Sequence, residues 1–178
     1  RHAFVAAGVP DFGAVQNNIS FNEKAGVTRG LHAEPWDKFV SVATGAVFGA
    51  WCDLREGSPT FGATVTQRIE PDTAVFVPRG VANGFQALHD ATSYTYLVND
   101  HYSPDADYTS VNLDMIDWPL EPSEISDKDR QHPQLADTTP MPPRKILVTG
   151  ANGQLGRALR SIVHDRTNVE FCTHQEFD

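Results

Sequence analysis

The sequence predicts a mainly β chain, an antiparallel sandwich or barrel with short helices, followed by the start of an α/β unit. Apolar and polar residues alternate between Val15 and about Asn99, as in "KFVSVATGAVFGAWCDL" and "TAVFVP", which is the periodicity of strands with one buried face. Turns rich in Gly, Pro and Asp separate these runs at roughly 8- to 12-residue spacing, as in antiparallel sandwiches and barrels. No helical periodicity competes in this stretch.

The composition narrows the function classes. The chain has 178 residues, of which 40% are hydrophobic and 21% charged, which fits a soluble globular protein of one domain, or one domain and a fragment. No apolar run approaches the roughly 18 residues that a membrane-spanning helix needs. A net charge of −9 disfavours nonspecific binding to nucleic acid. The first residues lack the pattern of a signal peptide. Cys52 and Cys172 fall in what look like different structural units, so a disulfide is not expected. Both observations lead us to expect a cytoplasmic protein.

The pattern changes after the strands. Residues 103–133 are rich in Asp, Pro and Ser around one apolar island, "VNLDMIDWPL", which predicts an irregular or briefly helical segment packed over the sheet and completes a domain of residues 1–136. The stretch "DTTPMPPRK" follows. Its adjacent prolines favour an extended, semi-rigid conformation, so residues 137–144 are predicted to form a linker.

Residues 145–178 have the pattern of the opening of a Rossmann fold. The run "KILVTGANGQLGRALRSIVHD" predicts a strand, a glycine-rich turn and an amphipathic helix, and "VEFCTH" predicts a second strand. Gly150, Gly153 and Gly156 would let backbone N–H groups approach a dinucleotide pyrophosphate, although a plain β-α turn remains an alternative. Two strands and one helix cannot cover both faces of a parallel sheet, so we expect a fragment that binds no cofactor tightly.

His32 raises the question of a metal site. Barrels of the cupin kind carry His-x-His with a later Glu, and then P-x-G-x-x-H. This chain has His32-Ala33-Glu34 at the first position, and the second runs from Pro78 to Asn83, with Asn in place of the histidine. Because a tight transition-metal site wants three or four protein ligands, we predict a cupin-like double-stranded β-helix that holds no transition metal.

Two interpretations of His32 remain at this point, an ordinary turn histidine and a functional base. Several charged and aromatic side chains lie on strands or turns that a small barrel could direct inward, where unpaired charge is costly. These side chains are Arg29, Glu34, Lys38, Tyr96 and Tyr102.

Several stretches together resemble one enzyme family, dTDP-4-dehydrorhamnose 3,5-epimerase, over Val15 to Pro133. They are "VQNNISFNEKAGVTRGLH", "LREGSPTFG", "VFVPRGVANGF", "YTYLVNDHYSP" and "IDWPL" with "ISDKD". The segment from Lys145 resembles the beginning of dTDP-4-dehydrorhamnose reductase. The two resemblances imply an epimerase–reductase fusion in which a complete reductase domain would use NAD(P)H, whereas the epimerase domain needs no cofactor.

The resemblance implies a role for each of four catalytic candidates. His32 would remove the protons at sugar C3 and C5, and Asp129 would pair with it, fixing the ring tautomer and raising its basicity. Tyr96 would return a proton on the opposite face of the sugar. Lys38 would stabilise the enolate that forms at the 4-keto oxygen.

The resemblance also implies how the substrate, a dTDP-4-keto-6-deoxyhexose, is bound. Arg29, Gln16 and Asn18 would grip the diphosphate and the sugar, and Tyr102 would stack on or flank the base. Two substrate-binding positions depart from the family: Asn83 replaces a usual His, and Glu34 replaces a usual Gln and would bring negative charge near an anionic substrate. The family's Arg-Gly-x-Phe-x-Glu stretch does not occur in the chain. The resemblance further implies a homodimer.

Two other functions remain open on the sequence. Related deoxysugar enzymes epimerise a single carbon or isomerise the ketone on the same fold. Alternatively, the barrel binds a nucleotide sugar without turning it over.

Overall fold

A computed structural model describes Gly8 and residues 12–163 and 168–177. The chain divides into two compact units, Arg1–Met141 and Pro142–Asp178. The first contains the residues of the predicted barrel, and the second those of the predicted α/β unit.

The first unit is built from two antiparallel sheets. The strands are β1 (Gln16–Asn22), β2 (Thr28–Ala33), β3 (Lys38–Thr44), β4 (Val47–Asp53), β5 (Thr64–Ile69), β6 (Ala74–Val77), β7 (Val81–Ala87), β8 (Thr92–Val98) and β9 (Thr109–Ser110). A four-stranded sheet has the order β1-β8-β3-β6, and a five-stranded sheet has the order β5-β4-β7-β2-β9. The predicted mainly β, antiparallel architecture is confirmed.

Alternation along the strands builds the core between the sheets. Val40 and Tyr94 from the four-stranded sheet pack in one cluster with Val47, Ile69 and Phe85 from the five-stranded sheet. Along β3 every second residue from Lys38 to Val42 is buried, because side chains two apart lie on the same face of a strand. The same alternation therefore directs a lysine at the start of β3 into the interior.

A second apolar layer covers the other face of the five-stranded sheet. Leu31 and Leu54 pack there against Val111 and Ile116, which belong to the predicted irregular segment. That segment forms short helical turns, a 3₁₀ turn at Leu113–Met115 and helix α1 at Asp127–Arg130. The expectation of a briefly helical segment packed over the sheet is confirmed.

The predicted linker, residues 137–144, differs from the structure in its first half. Met141 is 2% exposed and belongs to this second apolar layer. Its N–H donates to the Leu54 carbonyl at 2.8 Å, and its own carbonyl accepts from the Glu56 N–H at 2.9 Å. Prolines on both sides concealed an apolar residue that fills the sheet surface, so the chain stays attached to the first unit through Met141.

The second unit contains a β-α-β arrangement. Strands β10 (Ile146–Thr149) and β11 (Val169–Cys172) pair in parallel, helix α2 (Gln154–Ile162) connects them, and helix α3 (His174–Phe177) follows. Gly150 has a φ of 71°, a conformation that favours glycine. A Cβ at Gly156 would lie 2.5 Å from the Gly150 carbonyl oxygen, so the close approach of helix and turn requires glycine there. The predicted strand, turn, helix and strand are confirmed as elements.

Two further features of the described ranges concern the cysteines and the helices. Cys52 and Cys172 are both free thiols. None of the helices in those ranges combines the length and the apolar character needed to cross a bilayer.

Candidate active site

A cavity of about 330 Å³ opens in the first unit. Its walls come from β1, β2, β8 and the segment that follows β8. Six of the predicted site residues line it, and these are Gln16, Asn18, His32, Glu34, Tyr96 and Tyr102. The structure therefore brings together side chains that are scattered over most of the first unit's sequence.

Two glycines shape the strand that carries His32. A Cβ at Gly30 would lie 2.5 Å from the Gly84 Cα on the adjacent strand β7, so β2 and β7 approach more closely than side chains would allow. The register between the two strands shifts between Arg29 and His32. The His32 side chain is 34% exposed, and it reaches the cavity.

Asp129 orients the His32 ring through a hydrogen bond. The His32 Nε2 lies 2.8 Å from the Asp129 Oδ1, and the Gly30 N–H donates to the Asp129 Oδ2 at 3.3 Å. Ser126 caps helix α1 by accepting a hydrogen bond from the Asp129 N–H. The carboxylate is thus positioned by a helix cap and by the same strand that carries the histidine.

The charge of Asp129 sets the tautomer of His32. Burial alone would raise the pKa of Asp129, but the hydrogen bond and charge of His32, with the Gly30 N–H and Ser126, bring it below its ordinary value. A carboxylate only accepts hydrogen bonds, so a neutral His32 ring donates through Nε2 and keeps its lone pair on Nδ1. The pair is therefore arranged as a carboxylate-oriented base.

Lys38 and Glu34 form a buried ion pair beside Tyr96. The Lys38 Nζ also donates to the Asn83 Oδ1 at 2.8 Å, and it lies 5.2 Å from the centre of the Tyr96 ring. Burial lowers the pKa of Lys38, and the charge and hydrogen bond of Glu34 oppose that shift. The predicted negative charge of Glu34 is present at the cavity, but its partner Lys38 compensates it.

Tyr96 keeps its proton at neutral pH. Burial raises the pKa of its hydroxyl, and Glu34 and Tyr108 raise it further. A protonated phenol beside the cavity can donate a proton to a carbanion or enolate. Tyr96 thus has the protonation state that a general acid needs.

Asn83 was predicted to bind the substrate, but its side chain is buried away from the cavity. It is 7% exposed, and its Nδ2 donates to the Tyr94 hydroxyl at 2.9 Å while its Oδ1 accepts from Lys38. Both polar ends are used inside the protein, because β7 turns this side chain toward the buried start of β3. Asn83 positions Lys38, and it does not line the cavity.

Arg29 is also placed elsewhere. It forms an ion pair with Glu124 and lines a separate cavity of about 340 Å³ with Phe21 and Lys24. Across β7, Arg29 pairs with Phe85 and His32 pairs with Asn83, with a register shift between the two positions. The predicted joint action of Arg29 with Gln16 and Asn18 therefore has no support in the cavity of His32.

The remaining predicted residues lie at the mouth of the cavity. The Gln16 Nε2 donates to the Asn18 Oδ1 at 2.7 Å, and the Gln16 Oε1 accepts from the Tyr102 N–H at 3.4 Å. The Tyr102 side chain is 65% exposed. An exposed aromatic ring beside two amides suits a flat, polar ligand.

Among the cavity residues that the sequence did not predict, three carry aromatic rings. Trp36 and Tyr108 line the cavity and pack edge to face with ring centroids 5.7 Å apart. His132 lines it as well, and its ring lies 4.9 Å from that of His32. Trp36 and Tyr108 could have been found as aromatic residues in polar loops. His132 could have been found because it lies three residues after Asp129, about one helical turn away.

The glycines of the second unit divide between two positions. Gly150 and Gly153 line a cavity of about 430 Å³ with Asn152 and Thr173, and Gly153 is the N-cap of α2. Gly156 is buried against the turn instead. Gly150 and Gly153 are therefore the candidates for contact with a cofactor, and Gly156 has a packing role.

Comparison with known proteins identifies relatives of the first unit. A family model described as dTDP-4-dehydrorhamnose 3,5-epimerase matches residues 1–137. A curated protein of Streptococcus pyogenes named RmlC homolog is 46% identical over 142 residues, which cover 75% of this chain and 71% of the relative. A dTDP-4-dehydrorhamnose 3,5-epimerase of Pseudomonas aeruginosa is 36% identical over 137 residues, which cover 72% and 75%.

A solved structure is similar in fold as well as in sequence. RmlC from Streptococcus suis, determined in complex with dTDP-D-xylose, is 47% identical, with a TM-score of 0.74. The match covers 80% of this chain and 78% of that one.

Proposed function

The chain belongs to the dTDP-4-dehydrorhamnose 3,5-epimerase family, and from this membership we propose that it inverts C3 and C5 of dTDP-4-dehydro-6-deoxy-D-glucose. The product is dTDP-4-dehydro-L-rhamnose, an intermediate of dTDP-L-rhamnose biosynthesis. The observation that carries the proposal is a His32 ring held by buried Asp129 in the cavity that Tyr96 also lines. His32 then supplies the base, and Tyr96 the acid, that an epimerisation requires.

The first chemical step removes a proton next to the ketone. The 4-keto group acidifies the C–H bonds at C3 and C5, because the electron pair left behind moves onto the ketone oxygen. The Nδ1 of His32 accepts the proton, and Asp129 stabilises the resulting imidazolium. Lys38 lies behind the cavity wall, against Glu34 and Tyr96, and its charge stabilises the enolate oxygen, where negative charge develops only as the C–H bond breaks. The proposed mechanism requires no metal or other cofactor.

The second step returns a proton to the opposite face of the same carbon. Tyr96 donates its hydroxyl proton there, which inverts the configuration and leaves a phenolate. The phenolate then takes a proton from solvent and the His32 imidazolium loses one to solvent, which restores both groups. Lys38, 5.2 Å from the ring centre, favours this transient negative charge. Repetition at the second carbon completes the double epimerisation.

Substrate binding is assigned to the mouth of the cavity. Gln16 and Asn18 present amide groups for the sugar and diphosphate, and the exposed ring of Tyr102 flanks the base. Trp36 and Tyr108 add an aromatic wall. Arg29 is assigned a role outside this cavity, because Glu124 already pairs with it.

The purified full chain provides the test of this function. It would be incubated with dTDP-4-dehydro-6-deoxy-D-glucose, and the product would be trapped by a separate dTDP-4-dehydrorhamnose reductase with NADPH and identified by NMR. We expect dTDP-L-rhamnose. A sugar inverted at one carbon only, or unchanged substrate, would contradict the proposal.

Glu34→Gln should move the alkaline limb of the pH profile of kcat/KM to lower pH. Glu34 raises the pKa of both Lys38 and Tyr96, and the proposed mechanism needs both side chains protonated. Loss of the carboxylate lowers both pKa values, so activity disappears at a lower pH. The exposed Glu56→Gln serves as the matched control. An alkaline limb that stays in place or moves upward would show that neither protonated group is required.

We propose that the protein is a homodimer that associates through strand β1. This strand forms an edge of the four-stranded sheet, and Ile19 and Phe21 on it are 68% and 62% exposed. An apolar sheet edge of this kind favours association with a second strand.

Ile19→Lys should weaken the dimer by at least about tenfold, because a lysine buried at an interface loses its hydration. Sedimentation equilibrium at micromolar concentration measures the effect. Val65→Lys is the matched control, since Val65 is 64% exposed on β5 at the edge of the other sheet. A monomeric wild-type protein, or equal weakening by both variants, would contradict association through β1.

We also propose that residues 145–178 are the beginning of a dTDP-4-dehydrorhamnose reductase. The parallel pair of β10 and β11 with α2 between them supports this assignment. In a complete reductase domain, Gly150 and Gly153 would lie against the pyrophosphate of NAD(P)H, and the domain would reduce the 4-keto group of the epimerised sugar.

A further inference from the structure

Three side chains at the wall of the cavity and directly behind it lie close enough together to hold a metal ion. His32, Asp129 and His132 each offer one ligand atom, a ring nitrogen or a carboxylate oxygen, and the three atoms lie within 4.8 Å of one another. We propose that these three atoms bind a divalent transition-metal ion, for which Zn²⁺ is the best candidate, and that the bound ion inhibits the enzyme reversibly. The inhibition rests on the proposed function, whereas the metal site does not.

The buried imidazole of His132 supports a metal site. Its side chain is 5% exposed, and among the described residues neither ring nitrogen makes a hydrogen bond of normal geometry. Its contacts are weak ones, a 3.8 Å approach to the Asp129 carboxylate and an interaction with the Gly30 backbone, so the ring is poorly satisfied for a buried polar group. A neutral His132 ring offers a lone pair on one of its nitrogens, which is what metal binding requires.

The distances suit a tetrahedral ion. Bonds of about 2.0–2.1 Å to nitrogen and oxygen place tetrahedral ligand atoms roughly 3.3 Å apart. The Asp129 Oδ1 lies 2.8 Å from the His32 Nε2 and 3.8 Å from the His132 Nε2, so these separations bracket that value. Shifts of about half an ångström would adjust these two separations, and the ligand nitrogens of His32 and His132, which lie within 4.8 Å of each other, would move to a similar distance.

The Asp129 carboxylate is already oriented for monodentate coordination. The Asp129 Oδ2 accepts from the Gly30 N–H, which leaves Oδ1 directed at both histidines. His32 and His132 line the same cavity, so an ion can enter from solvent and keep a water molecule as its fourth ligand. Two imidazoles, one carboxylate and one water form a ligand set typical of Zn²⁺.

Metal binding and catalysis exclude each other at His32. An ion at Nε2 replaces the proton that Nε2 shares with Asp129, and the neutral ring then carries its proton on Nδ1. The ring remains neutral and no electrons are transferred, but Nδ1 has lost the lone pair that accepts the sugar proton. The metal-bound enzyme therefore lacks its base.

His132→Phe tests the site directly. The phenyl ring fills the buried space but removes both nitrogens, and His89→Phe changes an exposed histidine as the control. The full chain, stripped with EDTA, would be titrated with Zn²⁺ in competition with a chromophoric chelator. We expect one tight site in the wild type and in His89→Phe, and at least tenfold weaker binding in His132→Phe. Equal affinity in all three proteins would overturn the proposal.

X-ray absorption on the zinc-loaded wild type keeps the test valid if His132→Phe does not fold. Two imidazoles in a shell of four nitrogen and oxygen donors would support the site, and fewer than two would overturn it.

Activity measurements separate this inference from the proposed function. One equivalent of Zn²⁺ should inhibit the wild type and His89→Phe, and EDTA should restore their activity. Whatever activity metal-free His132→Phe has should be unchanged by the same zinc concentration. Full wild-type activity with zinc bound would overturn the inhibition. A metal-free wild type without epimerase activity would overturn the proposed function and the inhibition together, while the binding result would still decide the metal site.

Discussion

Replacing His32 with alanine should abolish the exchange of the C3 and C5 protons of the sugar with solvent. The variant loses the only group to which the mechanism assigns proton abstraction, and general base assistance is worth on the order of 10² to 10⁴ in rate. NMR of dTDP-4-dehydro-6-deoxy-D-glucose incubated in D₂O measures the exchange at each carbon separately. The cavity should still bind the nucleotide, because Gln16, Asn18 and Tyr102 are unchanged.

Two further variants show whether the effect belongs to the base. Asp129→Asn should leave a slow reaction, since the imidazole survives but loses the carboxylate that fixes its tautomer. The exposed His89→Ala should behave as the wild type. Rapid exchange at either carbon in His32→Ala would mean that another group removes the proton.

Tyr96→Phe should separate exchange from inversion. His32 and Lys38 remain in place, so the C–H bonds still break and exchange persists. The inverted product should form at least about 10²-fold more slowly, because no acid returns a proton to the opposite face. Parallel measurements of deuterium uptake and of product configuration in one NMR experiment test this expectation.

Tyr108→Phe is the matched control for Tyr96→Phe. Tyr108 lines the same cavity, but its hydroxyl donates to the Ser103 carbonyl at 2.8 Å and has no part in the proposed proton transfer. Exchange and inversion should both continue in this variant. If Tyr96→Phe suppresses exchange as completely as His32→Ala while substrate still binds, Tyr96 is required for enolate formation and the assigned roles are wrong.

The sequence predicted the strands well because their signal is local. Alternation along β3, from Lys38 to Val42, reflects burial of one face and can be read from a few neighbouring residues. The β-α-β pattern after Lys145 is equally local. In contrast, the His32–Asp129 pair joins residues 97 positions apart, and only the family resemblance brought them together before the fold was known.

The placements that the sequence did not predict have a common physical origin in long-range contacts. Met141 lies between prolines, and nothing in that stretch shows that it packs against the sheet beside Leu54. Asn83 contacts Lys38 and Arg29 pairs with Glu124, because strand pairing decided which side chains meet. Such contacts depend on partners far away in the sequence.

Position-resolved deuterium incorporation by the wild-type protein tests the central claim most directly. The full chain would be incubated in D₂O with dTDP-4-dehydro-6-deoxy-D-glucose, and NMR would follow C3 and C5 separately. A double epimerase of the proposed mechanism must place deuterium at both carbons. Deuterium at one carbon would identify a single-carbon enzyme, deuterium at neither would identify a binding protein, and either result would contradict the proposed function.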